Sequence, residues 1–224
     1  MKVTKEKAAE NRAALVQAAA RLFRERGIDG AGVAEICKAA GLTHGALYTQ
    51  FPSKEALAAE ALAYGLDRSL ARMTAAKDNR TPTLTEYLDC FISRQQRDNL
   101  AGGCPMAASA SEIARQDKAI SARFSEGFER TAEAVQGALG ATASTATARQ
   151  RALAIAAAMI GGVAMARAVF KARPDLSDDI LTAVRRVLGE VGGEAARPRA
   201  KAAAGKRTAA TPRKAAAPRL RLAR

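Results

Sequence analysis

The sequence predicts an all-α protein: an N-terminal three-helix helix-turn-helix domain, then a helical C-terminal ligand-binding and dimerisation domain, with about nine helices in all. Windows rich in Ala, Leu, Glu, Arg and Gln recur with helical spacing, whereas Val, Ile and Thr are scattered instead of alternating. Apolar residues make up 48% of the 224-residue chain, yet only 4% are aromatic and Trp is absent, which suits alanine-heavy helix packing.

The first helix is expected over 5–26, where Leu15, Ala19, Leu22 and Phe23 share a face and Arg26-Gly27 closes it. The second covers 33–40, because Val33, Ile36, Cys37 and Ala40 recur at i, i+3, i+4 and i+7. Gly41 ends it by taking the left-handed conformation, and Thr43 is placed to accept a hydrogen bond from a free N–H of the third helix, 44–50. There Leu47 and Phe51 lie four apart and face inward, leaving His44, Gly45, Tyr48, Thr49 and Gln50 outward to differing extents. Pro52 stops the helix, Ser53 caps the next, and Glu55 in its first turn suits the macrodipole. Two short helices on a three-residue turn read as a helix-turn-helix, whose second helix enters a DNA groove.

Helices over 54–76, 82–99, 105–115 and 117–139 follow. They are separated at Asn79–Thr83, with Pro82 at a helix start, at Gly102-Gly103-Cys104-Pro105, and at a small-residue connector from Gly140 to Thr147. The eighth and ninth helices, 146–172 and 177–191, meet at a sharp boundary: Pro174 ends one, and Ser177 with Asp178 and Asp179 begins the other. Both carry more apolar surface than a one-sided helix needs. Either they close the monomer core, or they pair with the same helices of a second chain as a four-helix bundle, where Gly161-Gly162 allows close backbone approach.

The net charge of +14 is unevenly placed. Residues 197–224 hold ten Lys/Arg and no Asp or Glu, so residues 1–196 carry 26 basic against 22 acidic side chains. The pI near 10.3 therefore describes a tail more than a folded body. Lys2, Lys5, Lys7 and Arg12 cluster at the entrance to the first helix. Three domains are expected: 1–53, the DNA-binding head; 54–193, the helical body; and 194–224, a disordered basic tail that either solubilises the chain or is attracted to DNA phosphates. The N-terminus lacks a signal-peptide core, and the run Ala152–Ala166 is shorter than a membrane span, so a cytoplasmic protein with no membrane partner is expected. Cys37, Cys90 and Cys104 fit reduced thiols better than a disulfide framework.

Ala34–Ala40, Gly41-Leu42-Thr43, Gly45-Ala46-Leu47-Tyr48, Phe51 and Ser53-Lys54-Glu55-Ala56-Leu57 resemble the TetR/AcrR family of bacterial repressors over roughly the first 60 residues. One departure stands at Ala31 and Gly32, where the family commonly carries hydroxyl residues; a side-chain cap is missing there. The resemblance implies a homodimer formed through the eighth and ninth helices, a small apolar or electrophilic effector held among the fourth to eighth, and repression as the usual mode. Two heads one helical turn apart would then read a palindrome in double-stranded DNA.

Within the reading helix and its flanks, Thr43, His44, Gly45 and Thr49 are the base-proximal candidates. The resemblance gives Tyr48 a phosphate contact, with a half-buried aromatic as the plain alternative. Lys54 is unfavourable at a helix start unless a phosphate lies near. Tyr64, Met73, Phe91, Met106, Phe124, Phe128 and Met159 are the effector-pocket candidates, each equally a plain core residue. Cys104 joins them: a helix N-terminus lowers a thiol pKa, and Gly-Cys-Pro resembles one branch of the family with electrophile-sensing relatives, whereas the plain reading is a small buried hydrophobe. His44 is the sole histidine, and beside Cys37 it matches no zinc spacing, so no metal is expected. With no glycine-rich phosphate loop and no Ser/His/Asp set, neither an enzyme nor a cofactor is expected. The competing reading is a nucleoid-associated protein in which the basic tail dominates non-specific DNA binding.

Overall fold

Thr4 opens the first helix by accepting the backbone N–H of Lys7 at 3.2 Å, and Gly27 closes it at φ 81°, a left-handed value that favours glycine. This is α1 (Lys5–Arg26) in the computed structural model, which describes residues 4–75, 80–139 and 145–193. Its face of Leu15, Ala19, Leu22 and Phe23 is buried. Next come α2 (Val33–Ala39) and α3 (His44–Gln50), joined by a turn in which Gly41 stands at φ 69° and the Leu42 N–H reaches the Cys37 carbonyl at 2.9 Å. Among the described residues there are ten helices and no strands, as an all-α class requires.

α4 (Lys54–Thr74) runs from the head into the body. Leu57, Ala58, Ala61, Leu62, Gly65 and Leu66 form its buried stripe, which packs on α1 and on α8 (Lys118–Ala138). Gly127 admits α8 to close range: a β-carbon there would meet Leu66 Cδ1 at 2.6 Å.

The single helix expected over 82–99 is two, α5 (Leu84–Phe91) and α6 (Arg94–Asp98). Ser93 makes the break, its hydroxyl accepting the Gln96 N–H at 3.2 Å and donating to the Cys90 carbonyl at 3.2 Å. α7 (Pro105–Ile113) precedes α8, and α9 (Thr145–Phe170) and α10 (Pro174–Val191) end the described chain. Pro174 begins α10 instead of merely stopping α9, and Ser177 is not its cap. Ser177 lies fully buried, donating to the Ala166 carbonyl at 2.8 Å and accepting from Arg97 at 3.1 Å.

α9 is the central helix of the body, with Ile155, Met159 and Val163 fully buried. The helix around the expected run Ala152–Ala166 covers Ala146–Phe170, which is long and apolar enough to cross a membrane by length and composition alone. Here it packs against α6, α7, α8 and α10. The paired glycines divide their work: a β-carbon on Gly162 would meet Val184 of α10 at 2.9 Å, whereas Gly161 faces open space.

Candidate nucleic-acid interface

Leu47 and Phe51 are both buried and hold α3 on the core of the head. Their spacing turns the other side of the seven-residue helix outward, and Thr43, His44, Gly45, Tyr48 and Thr49 are all exposed on it. The His44 and Tyr48 rings stand 5.4 Å apart and tilted by 56°, one turn from each other. Thr49 donates its hydroxyl to the Ala46 carbonyl at 2.8 Å, which leaves its oxygen able to accept a further hydrogen bond. Thr43 caps α3 by backbone geometry alone; its side chain makes no capping bond, against expectation. Lys54 is half-buried in the first turn of α4. Ser53 does cap that helix, accepting the Ala56 N–H at 3.2 Å, and the Glu55 carboxyl is held below its usual range by its own backbone N–H and by Ser53.

Sequence places Arg12 among surface charges, and it belongs elsewhere. Its guanidinium stacks 4.1 Å above the Phe51 ring, donates to the Gln50 carbonyl at the end of α3, and pairs with Glu60 of α4. One residue of α1 thus ties the reading helix to α1 and to α4. The only signal available in sequence is an arginine facing a helix end, which is too common to single out. Arg26 and Glu35 tie α1 to α2 in the same way.

The expected pocket residues do not converge. Met73 and Phe91 line one cleft of about 130 Å³ with Ser69, Arg72 and Asn99, while Tyr64 lines another with Arg24, Arg68 and Arg72. Met106 and Met159 are core, and Phe124 and Phe128 are half-buried on its edge. Cys104 stands at the N-cap position of α7 but its side chain makes no capping bond; it is completely buried, and burial pushes its pKa up, opposite to the expected lowering. The three cysteines are unpaired, and among the described residues no cluster of His, Cys, Asp or Glu could hold a metal ion.

A seven-residue helix with a buried inner edge and a small polar outer edge, seated by a tight left-handed turn on two others, defines a helix-turn-helix head on an all-α body. Comparison with known proteins narrows that class. The family described as bacterial regulatory proteins, tetR family, matches residues 15–61, and that of transcriptional regulator LmrA/YxaF-like, C-terminal domain, matches residues 82–174. The chain belongs to the TetR family. It is 39% identical over 82 residues to the HTH-type transcriptional regulator TtgR of Pseudomonas putida, covering 35% of this chain and 39% of that protein. It is 34% identical over 85 residues to the HTH-type transcriptional repressor KstR2 of Mycolicibacterium smegmatis, covering 38% and 42%. These matches span about two fifths of the relatives' own length. A solved TetR transcriptional regulator from Chloroflexus aurantiacus superimposes with a TM-score of 0.63 at 27% identity, covering 80% of this chain and 94% of that one.

Proposed function

We propose that this protein is a homodimeric DNA-binding transcriptional regulator, a repressor released from a palindromic operator by a small-molecule effector, with residues 1–53 as the reading head and 54–193 as the effector-binding and dimerising body. The observation that carries the reading is the outer face of α3, where five small or polar residues stand exposed while Leu47 and Phe51 anchor the helix beneath them. Thr43, His44, Gly45 and Thr49 would meet base edges, Thr49 as an acceptor or through its methyl. Tyr48 and Lys54 would grip phosphates.

Dimerisation is supported by apolar surface that the monomer leaves uncovered. On α9, Ala154, Ala157, Gly161, Met165 and Ala168 are exposed at helical spacing, and on α10 Leu176, Ala183, Val187 and Val191 form a second exposed stripe. These are the eighth and ninth helices of the sequence reading. A monomer's seven-residue helix reads too few base pairs to find one site in a genome, so a dimer also gives the head its selectivity. A cytoplasmic location fits this role. The effector candidates are Tyr64, Met73, Phe91, Cys104, Met106, Phe124, Phe128 and Met159, of which Tyr64, Met73 and Phe91 line clefts. The basic tail, 194–224, lies outside the described residues.

Selection of bound fragments from genomic DNA followed by footprinting tests the reading. Protection of one palindromic motif, lost in Tyr48→Ala, is expected. Broad, salt-labile coating without a preferred motif would overturn it in favour of a nucleoid-associated protein.

A further inference from the structure

Three arginines from two helices share one cleft whose lining, among the described residues, includes no carboxylate. Arg24 near the end of α1 and Arg68 and Arg72 on α4 line a cleft of about 230 Å³ together with Gln17, Tyr64 and Gly102. Among the described residues none of the three forms an ion pair. Their partners are neutral: Arg24 donates to the Ala101 carbonyl at 2.6 Å, Arg72 to the Gly102 carbonyl at 2.7 Å, and Arg68 to the Tyr64 hydroxyl at 2.8 Å. A guanidinium has five N–H donors, so most remain available to whatever fills the cleft. Tyr64 accepts from Arg68, which leaves its own proton to donate.

The cations also oppose one another. The Arg24 pKa is lowered by burial first, then by the charges of Arg72 and Arg68. Space for Arg24 is provided by Gly65, where a β-carbon would lie 2.9 Å from Arg24 Nη1 and 3.0 Å from Pro105 Cγ. The arrangement is thus a cavity wall of converging donors with unbalanced positive charge, in which an anion would relieve repulsion and engage planar forks suited to carboxylate or phosphate oxygens.

We propose that this cleft binds a small polyanion, a phosphate or polycarboxylate, and that this anion is an effector of the protein. The volume fits such an ion and falls short of the usual 300–1,000 Å³ or so of a drug-sized ligand. DNA phosphate is not the occupant, since Gly65 lies about 16 Å along α4 from Lys54 at the helical rise. The effector role rests on the DNA-regulator reading: α1 belongs to the head and α4 reaches into the body, so an anion drawing Arg24 toward Arg68 and Arg72 favours one head position over another.

The test is calorimetric titration of the full chain with sodium phosphate and, separately, with citrate, at constant ionic strength and without DNA. Saturable binding of at least one anion is expected, weakened tenfold or more in Arg68→Gln/Arg72→Gln and unchanged in Arg123→Gln, a surface control. Binding of phosphate alone assigns a phosphoryl ligand, and of citrate alone a carboxylate. Absence of saturable binding by the wild type, or equal affinity in the double variant as the basic tail would give, overturns the site. Affinity for the selected palindrome is then measured with and without the bound anion: a shift lost in the double variant supports the effector role, and no shift overturns that role. Because the titration contains no DNA, its failure is distinguishable from failure of the DNA reading.

Discussion

Two groups of arginines in the body face opposite chemical situations. Around Arg97 every charge is answered: the buried guanidinium pairs with Asp98 at 2.6 Å and Asp178 at 2.9 Å, donates to Ser177, and lies 3.8 Å above the Phe170 ring. Arg94 reinforces Asp178 from outside at 2.5 Å. Around Arg24, Arg68 and Arg72 the partners are two carbonyls and a phenol. The first group fastens α6 to α9 and α10 and leaves little for a ligand to satisfy. The second has donors in excess, which is what a binding site for an anion requires. Arginine count alone distinguishes nothing; the difference lies in what the donors meet.

The largest effect should come from the matched group. Arg97→Ala is expected to destabilise the protein by about 2–3 kcal/mol, because it leaves the Ser177 hydroxyl and two carboxylates without their shared donor. The value is held below that of a fully buried pair because Asp98 and Asp178 retain solvent contact and Arg94 remains. Denaturant melts of both proteins check this. A change under about 0.5 kcal/mol would mean that the network is no fastener. Ser177→Ala should follow at about 1–2 kcal/mol, since it removes one hydrogen bond to a buried arginine and leaves the Ala166 carbonyl short of a donor.

Acid sharpens the same contrast. Arg97 holds the Asp98 carboxyl below its ordinary pKa, and Arg94 followed by Arg97 does so for Asp178. A carboxyl whose folded pKa is depressed stabilises the protein above the unfolded value of about 3.9 and loses that contribution as pH falls through the folded pKa. The stability gap between wild type and Arg97→Ala should therefore be constant from pH 7 to 5 and narrow below pH 4. A gap independent of pH down to 2.5 would show that packing on Phe170, not charge, carries the effect.

The head was legible in sequence because its constraints are local. A positive φ between two short helices selects Gly41, and a four-residue spacing fixes Leu47 and Phe51 inward, so the outward set followed from counting. Ser53 as a cap was legible for the same reason. Thr43 shows the limit, since a capping residue type does not guarantee a capping bond. The body was legible as helices but not as a site. Arg12 lies 38 residues from the Gln50 carbonyl it holds, and Arg97 80 residues from Ser177. No local pattern announces such pairings. The break at Ser93 rests on local hydroxyl bonds to Gln96 and Cys90, and α10 starts with Pro174 in its first turn; a serine or a proline takes such a role in some contexts and not in others, so the residue type alone did not announce it.

The smallest effect is the most diagnostic of the unmatched group. Arg68→Gln removes a charge that has no carboxylate partner among the described residues and that repels Arg24, while it forfeits one exposed hydrogen bond to Tyr64 and a stacking contact 5.6 Å from that ring's centre. An exposed contact of this kind is worth a few tenths of a kcal/mol and relief of repulsion a similar amount. The two oppose, so the variant should melt within about 0.5 kcal/mol of wild type in chloride buffer. In saturating phosphate or citrate the balance changes, because wild type gains stability by mass action and the variant gains less. The informative quantity is therefore the difference between buffers, not either melt alone. A loss above about 1 kcal/mol in chloride would reveal Arg68 as a structural residue, and the contrast with Arg97 would dissolve.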